Sequence, residues 1–148
     1  MKIRHARYPD DLEALHDLEH VCHPTRTPRA DLWWASHPVL LVVDDAEVVA
    51  YACYSIDVLT RKLNLLDTAV HPDARGQKYG AALMQERLRI GRALGCIQAV
   101  GAVAPDNPPM RKICAEAGLV EILHVPGYYA EEDPPRDALI VTMMLGGT

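Results

Sequence analysis

Between Val70 and Met84 the chain reads VHPDARGQKYGAALM, an apolar strand that runs through a short Arg- and Gly-bearing loop into an amphipathic helix. Such a junction can hold a phosphate group. The first turn of a helix carries N–H groups with no partner inside the helix, and aligned peptide dipoles add partial positive charge there. Arg75 and Lys78 add full charges, while Gly76 and Gly80 allow a ligand to approach the backbone. The spacing matches neither G-x-x-x-x-G-K-[ST] nor G-x-G-x-x-G, so a Walker loop and a dinucleotide fingerprint are excluded. Three residues before Val70, Asp67 stands among Leu65, Leu66 and Ala69. A carboxyl group in an apolar strand is a candidate for a raised pKa and proton transfer, or else for a salt bridge. His71 can relay a proton or simply shape the turn before Pro72. His16 and His20, with Cys22 and His23 nearby, form an i, i+4 pair able to ligate a metal, but the polar face of a helix explains His16 and His20 without a ligand and no metal is expected. Glu131, Glu132 and Asp133 supply a negative rim that would attract a protonated amine.

The elements that must position these groups follow from periodicity. Residues 2 to 7 suit an edge strand, Asp10 and Glu13 suit a capping box, and Leu12, Leu15 and Leu18 share one helical face. After Pro24 and Pro28 a short helix over 30–36 carries Trp33 and Trp34. Strands are expected near 39–43, 48–56 and 63–70, with a hairpin turn at Asp44 and Asp45. The main helix spans about 80–94, with Leu83, Met84, Leu88 and Gly91 inward and Gly95 as its stop. A strand over 97–103 precedes a second helix that starts after Asp106, buries Met110, Ile113, Cys114 and Ala117, and ends at Gly118. Strands over 120–125 and 139–145 close the chain, separated by a charged loop over 131–136. The pattern predicts an α+β fold with a largely antiparallel mixed sheet of six to seven strands and about four helices on its faces.

Composition narrows the function classes. With 148 residues and 49% hydrophobic content, one domain spanning 1–148 is expected. The apolar runs are short and no basic-then-apolar leader opens the chain, so the expectation is a cytoplasmic protein without a membrane span or signal peptide. Cys22, Cys53, Cys96 and Cys114 show no C-x-x-C pairing, which argues for reduced thiols. A formal charge of −5 without a long basic run argues against nucleic-acid binding. A cationic amine is a better match.

Arg75-x-x-Lys78-x-Gly80-Ala81, preceded by Val70-His71-Pro72, resembles the acetyl-CoA loop R/Q-x-x-G-x-G/A of the GNAT acetyltransferase superfamily. Lys78 departs from the usual glycine, where a positive φ would cost about 1 kcal/mol; a lysine can also reach a phosphate. The opening IRHARYPDDLEAL is similar to the family's first strand and helix. The segment from Asn107 to Leu119, NPPMRKICAEAGL, is similar to its N-x-x-A-x-x-L-Y-x-x-x-G-F helix. Tyr128-Tyr129 followed by Asp137-Ala138-Leu139 resembles the end of the branch that acetylates protein N termini.

The resemblance implies a GNAT fold in which acetyl-CoA is a cosubstrate and an amine attacks its thioester within a ternary complex. The acceptor is a protein N-terminus or a small molecule. It implies that backbone groups of Thr68, Ala69 and Val70 hold the acetyl and pantetheine portions, and that Arg75, Gly76, Gln77, Lys78, Tyr79, Gly80, Ala81 and Ala82 form the pyrophosphate loop. Asn107 contacts the cofactor or caps its helix. Cys114 stands where the family commonly has a tyrosine that protonates the leaving thiolate; the other reading is a small buried apolar residue. Ala102 falls where a glutamate base is common, which leaves Asp67 as the candidate base. Tyr128 and Tyr129 match acceptor-contacting tyrosines, or cap the end of the sheet. A homodimer stays open. An alternative keeps the fold and discards catalysis, leaving a CoA-binding sensor or interaction module.

Overall fold

The run VLLVV at 39–43 has no polar alternation because its strand is covered on both faces, and that burial organises the molecule. The computed structural model describes residues 1–146; Gly147 and Thr148, counted in the expected 1–148 span, lie outside the described residues. Seven strands form one sheet: β1 (Lys2–His5), β2 (Val39–Asp44), β3 (Glu47–Asp57), β4 (Lys62–Val70), β5 (Gln98–Val103), β6 (Val120–Tyr129) and β7 (Arg136–Met144), in the order β1-β2-β3-β4-β5-β7-β6. Helices α1 (Leu12–Cys22) and α2 (Asp31–Ala35) cover one face, and α3 (Tyr79–Ala93) and α4 (Pro108–Ala117) the other. Strand alternation divides the core accordingly. Leu40, Val42, Ala50, Ala52 and Tyr54 pack with Leu83, Met84 and Leu88 of α3, whereas Leu41, Tyr51 and Cys53 pack with Leu15, Leu18 and Trp34.

All neighbouring strands are antiparallel except β4 and β5. Their parallel ladder is only four residues long, Lys62–Leu65 against Gln98–Gly101. At its last pair, a Cβ on Gly101 would lie 3.2 Å from the Leu65 Cβ, so glycine permits the close approach at which the strands part. Beyond it, β4 stays paired to β3 as far as Val70, and β5 to β7 as far as Val103. The inner edges open into a V at the carboxyl ends of two parallel strands. A bulge helps turn β4 away: Leu66 and Asp67 together oppose Cys53, between the pairs Tyr54–Leu65 and Ala52–Thr68.

The elements match the periodic reading in type and order, with corrections at their ends. The expected Asp10/Glu13 capping box is absent. Asp11 precedes α1 without capping it, because its carboxylate takes both Arg4 Nη atoms, at 2.8 and 3.0 Å, and the Arg7 N–H at 2.6 Å. Strands β6 and β7 each extend towards the charged loop, so Tyr128 and Tyr129 end a strand instead of lying in a loop.

Candidate active site

A cavity of about 710 Å³ occupies the V and crosses to the α1 side of the sheet. It brings together Asp67, Thr68, Asn107, Cys114, Tyr128 and Tyr129, six of the residues singled out from sequence. Arg75 to Ala82 contribute no wall to this cavity. They lie at the end of the same strand, after a single 3-10 turn at Pro72–Ala74.

That loop leaves its donors open. Backbone N–H groups of Gly76, Gln77, Lys78, Tyr79, Gly80 and Ala81 bond to no described residue, and the first helical bond runs from Ala82 N to Lys78 O at 3.0 Å. No side chain caps the helix. Six adjacent donors at the positive end of a fifteen-residue helix are an arrangement that could hold an anion. Gly76 at φ +83° and Lys78 at φ +63° bend the chain so that it can start there. Lys78 therefore adopts the left-handed conformation that the family's glycine would take without strain. Arg75 turns back to donate Nε to Val70 O at 3.3 Å. His71 accepts the Asp73 N–H on Nδ1 at 3.1 Å, which gives it the turn-shaping role.

Two loop residues also serve the packing. A Cβ on Gly80 would meet Ile113 Cδ1 at 2.9 Å, so the glycine makes room for α4. Tyr79 is buried and donates its hydroxyl to Asp44 at 2.6 Å, leaving only its main chain at the loop. Ala69 likewise turns its methyl into the α1-side core, away from the helices that flank the V. Asn107 accepts the Met110 N–H on Oδ1 at 3.3 Å and so caps α4, and the residue lines the cavity.

The surroundings of Asp67 favour the salt bridge over the general base. The side chain is buried on the α1 face and accepts hydrogen bonds from Arg26 at 2.9 Å, Arg29 at 2.7 Å and the Tyr51 hydroxyl at 2.7 Å. His23 Nε2 approaches its other oxygen to 3.2 Å. Burial alone would raise this carboxyl, but His23 and Arg26 outweigh it and hold the group far below the usual carboxylate range. An anion so stabilised is a poor proton acceptor. Its role is to anchor the segment between α1 and α2, aided by Glu19, which accepts from Arg26 at 2.7 Å and from the Arg29 N–H at 3.0 Å.

Cys114 does reach the cavity from α4, but burial pushes its thiol up, with Arg87 pulling the other way. It is a weaker acid than an ordinary cysteine. Tyr129 is pushed up to about 12, mainly by burial, and stays protonated. Its ring meets that of Tyr128 edge-on at 5.0 Å.

Several wall residues were not singled out from sequence. Arg29 lies 3.9 Å above the Trp33 ring, and Trp33 stacks on His37 at 4.3 Å. The Trp33 carbonyl accepts His37 Nδ1–H at 2.7 Å, which leaves the Nε2 lone pair of the neutral ring free. Arg87 is also in the wall. Its signal was present, since a charge at position 87 interrupts the inward stripe Leu83, Met84, Leu88 and Gly91 of α3. His16 donates its Nε2–H to the Asp31 carboxylate at 2.6 Å, away from the cavity.

The model of the acetyltransferase (GNAT) family matches residues 9–119. The chain belongs to the GNAT acetyltransferase family. It is an acyltransferase built on the fold described above. No curated protein matches the sequence. Among solved structures, the ribosomal-protein-S18-alanine N-acetyltransferase of Escherichia coli superposes with a TM-score of 0.83 at 20% identity, over 99% of this chain and 96% of that one. The ribosomal-protein-alanine N-acetyltransferase of Brucella melitensis gives 0.83 at 21%, over 98% and 100%. A phosphinothricin acetyltransferase of Sinorhizobium meliloti, in complex with acetyl-CoA, gives 0.80 at 19%, over 98% and 88%. At these identities the shared property is the fold.

The GNAT loop accommodates Lys78 at a conformational cost, and relieving it has a measurable result. Lys78→Gly is expected to stabilise the protein by up to about 0.5 kcal/mol, the left-handed penalty less the larger entropy loss of glycine. A thermal melt should rise by about 1–2 °C; a fall would mean that the lysine stem contributes packing that outweighs the strain.

Proposed function

We propose that the protein transfers an acetyl group from acetyl-CoA to a primary amine, a protein N-terminus or a small molecule, within a ternary complex in the cytoplasm. The observation that carries this reading is that one strand serves both places: β4 borders the cavity with its unpaired edge as far as Thr68, and the chain that leaves it at Val70 presents unpartnered N–H groups from Gly76 to Ala81 after a single 3-10 turn. A pyrophosphate on residues 76–81 would direct the pantetheine along Val70, Ala69 and Thr68. The thioester would then lie near the bulge, where a main-chain donor aimed at the developing oxyanion contributes roughly 3 kcal/mol.

The amine enters from the α1 side. Arg29, Trp33, Tyr128 and Tyr129 border that approach, and Glu131 attracts a protonated amine to it, Glu132 being paired with Arg136 at 3.5 Å. Attack requires a free lone pair on nitrogen. With Asp67 locked among cations, His37 Nε2 is the cavity group suited to take the proton, directly or through water. The test is incubation with acetyl-CoA and panels of peptides and of small amines, read by mass. Acetylation of one panel identifies the acceptor class, and no turnover on either removes the assignment.

Cys114 is expected to be dispensable for proton return. Cys114→Ala should keep kcat within about threefold, because its raised thiol pKa makes it a poor donor. A tenfold or larger fall with unchanged acetyl-CoA affinity would restore the acid role.

A further inference from the structure

Arg87 is 1% exposed in the wall of the cavity. Burying a guanidinium is costly unless an anion pairs with it. Here no carboxylate forms an ion pair with it among the described residues. Asp67, the nearest acid in its field, is already saturated by Arg26, Arg29 and Tyr51. Nη1 donates to the carbonyls of Cys53 at 3.1 Å and Leu66 at 3.4 Å. Those carbonyls belong to the two strands that meet at the β4 bulge. Nε is buried without a partner, and Nη2 donates to no described residue. Burial lowers the guanidinium to about 10, so the group remains charged at neutral pH.

The charge also has a location that matters. Arg87 and Cys114 line the same cavity, and Cys114 stands where the family resemblance places the group that meets the leaving sulfur. A fixed cation in a water-poor wall, held by two carbonyls and lacking an anion, is complementary to a negative charge that exists only during reaction.

We propose that Arg87 is the charge that stabilises the thiolate leaving group, set in place by the Cys53 and Leu66 carbonyls; this rests on the acetyl transfer proposed above. In that step the amine lone pair forms the C–N bond and the carbonyl π pair moves to oxygen. The pair returns as the C–S bond breaks, and sulfur keeps the bonding electrons. The nitrogen proton passes to His37, and the thiolate later takes one from solvent, giving amide and CoA thiol. A stabilised thiolate leaves without a dedicated acid, which accounts for a family position held by Cys114 in place of tyrosine.

The first test uses the unaltered protein. CoA is bound at saturation and its thiolate absorbance is followed against pH, with the desulfo-CoA complex as the blank. The thiol is expected to titrate about one unit or more below that of free CoA; a midpoint at or above the free value overturns the proposal. Failure to bind CoA at all removes the acetyltransferase reading with it. The second test is Arg87→Met beside Arg87→Lys. The methionine variant should lose about 100-fold in kcat with acetyl-CoA affinity within about threefold, while lysine should keep kcat within about tenfold. A methionine variant within about threefold of the original kcat overturns the proposal, and if that variant does not fold, the thiol titration decides.

Discussion

Asp67→Asn is expected to lower the unfolding free energy by about 3–5 kcal/mol, or roughly 10 °C in melting temperature for a chain of this size. Asparagine matches aspartate in shape, so packing is kept and charge is lost. Arg26 and Arg29 would then be left in a nearly closed site with only Glu19 to compensate them. The sign of the pH dependence follows from the depressed carboxyl. Its contribution is fully present above the unfolded aspartate value of about 3.9 and is lost as pH falls from there through the folded value. The stability gap between the two proteins should therefore be level from pH 5 to 7. Below about pH 4 it should shrink by up to about 1.4 kcal/mol per unit. Activity separates anchor from base. An anchor predicts a raised KM for the amine, with acetyl-CoA affinity retained while the variant is folded. If Asp67 were the base, stability would hold while kcat fell by roughly 10²–10⁴. Melts across pH together with steady-state kinetics decide between them.

That pairing shows where the sequence stopped being legible. Asp67 was visible as a charge between apolar neighbours. Its partners were not visible, because Arg26 and Arg29 sit about forty residues away in a proline-flanked connection with no periodicity. Local pattern reports what surrounds a residue in the chain; the sign of a pKa shift depends on what surrounds it in space. The loop is the opposite case. Its donors are open because of helix geometry and left-handed residues next to one another, both local properties, so the strand-loop-helix pattern foretold them. The V is intermediate. Hydrophobic runs indicated β4 and β5, but a ladder that stops after Leu65 and Gly101 is a property of the pair. Arg87 was legible and passed over, since a cation on the buried stripe of a helix demands a reason.

Gly80→Val is expected to weaken acetyl-CoA binding tenfold or more and to destabilise the fold by about 1–3 kcal/mol, through α4 and not through the phosphates. The glycine lies in the first turn of α3, and its missing Cβ points at Ile113 Cδ1, 2.9 Å away. Alanine should be tolerated, because that atom is the end of a flexible chain that can swing aside, and the helix gains up to about 1 kcal/mol in propensity. Valine brings two further methyls and would push α3 and α4 apart. The open donors of residues 76–81 would then lose their common direction. Adding Ile113→Ala provides the discriminating measurement. If the valine acts by wedging the helices, the double variant should recover acetyl-CoA affinity to near that of Ile113→Ala alone, with a coupling of at least about 1 kcal/mol. If it acts by blocking the phosphates, space on the α4 side is irrelevant and affinity stays as poor as in the single variant. Titration calorimetry on the four proteins separates a loop that grips its ligand from one whose grip depends on the helix packed behind it.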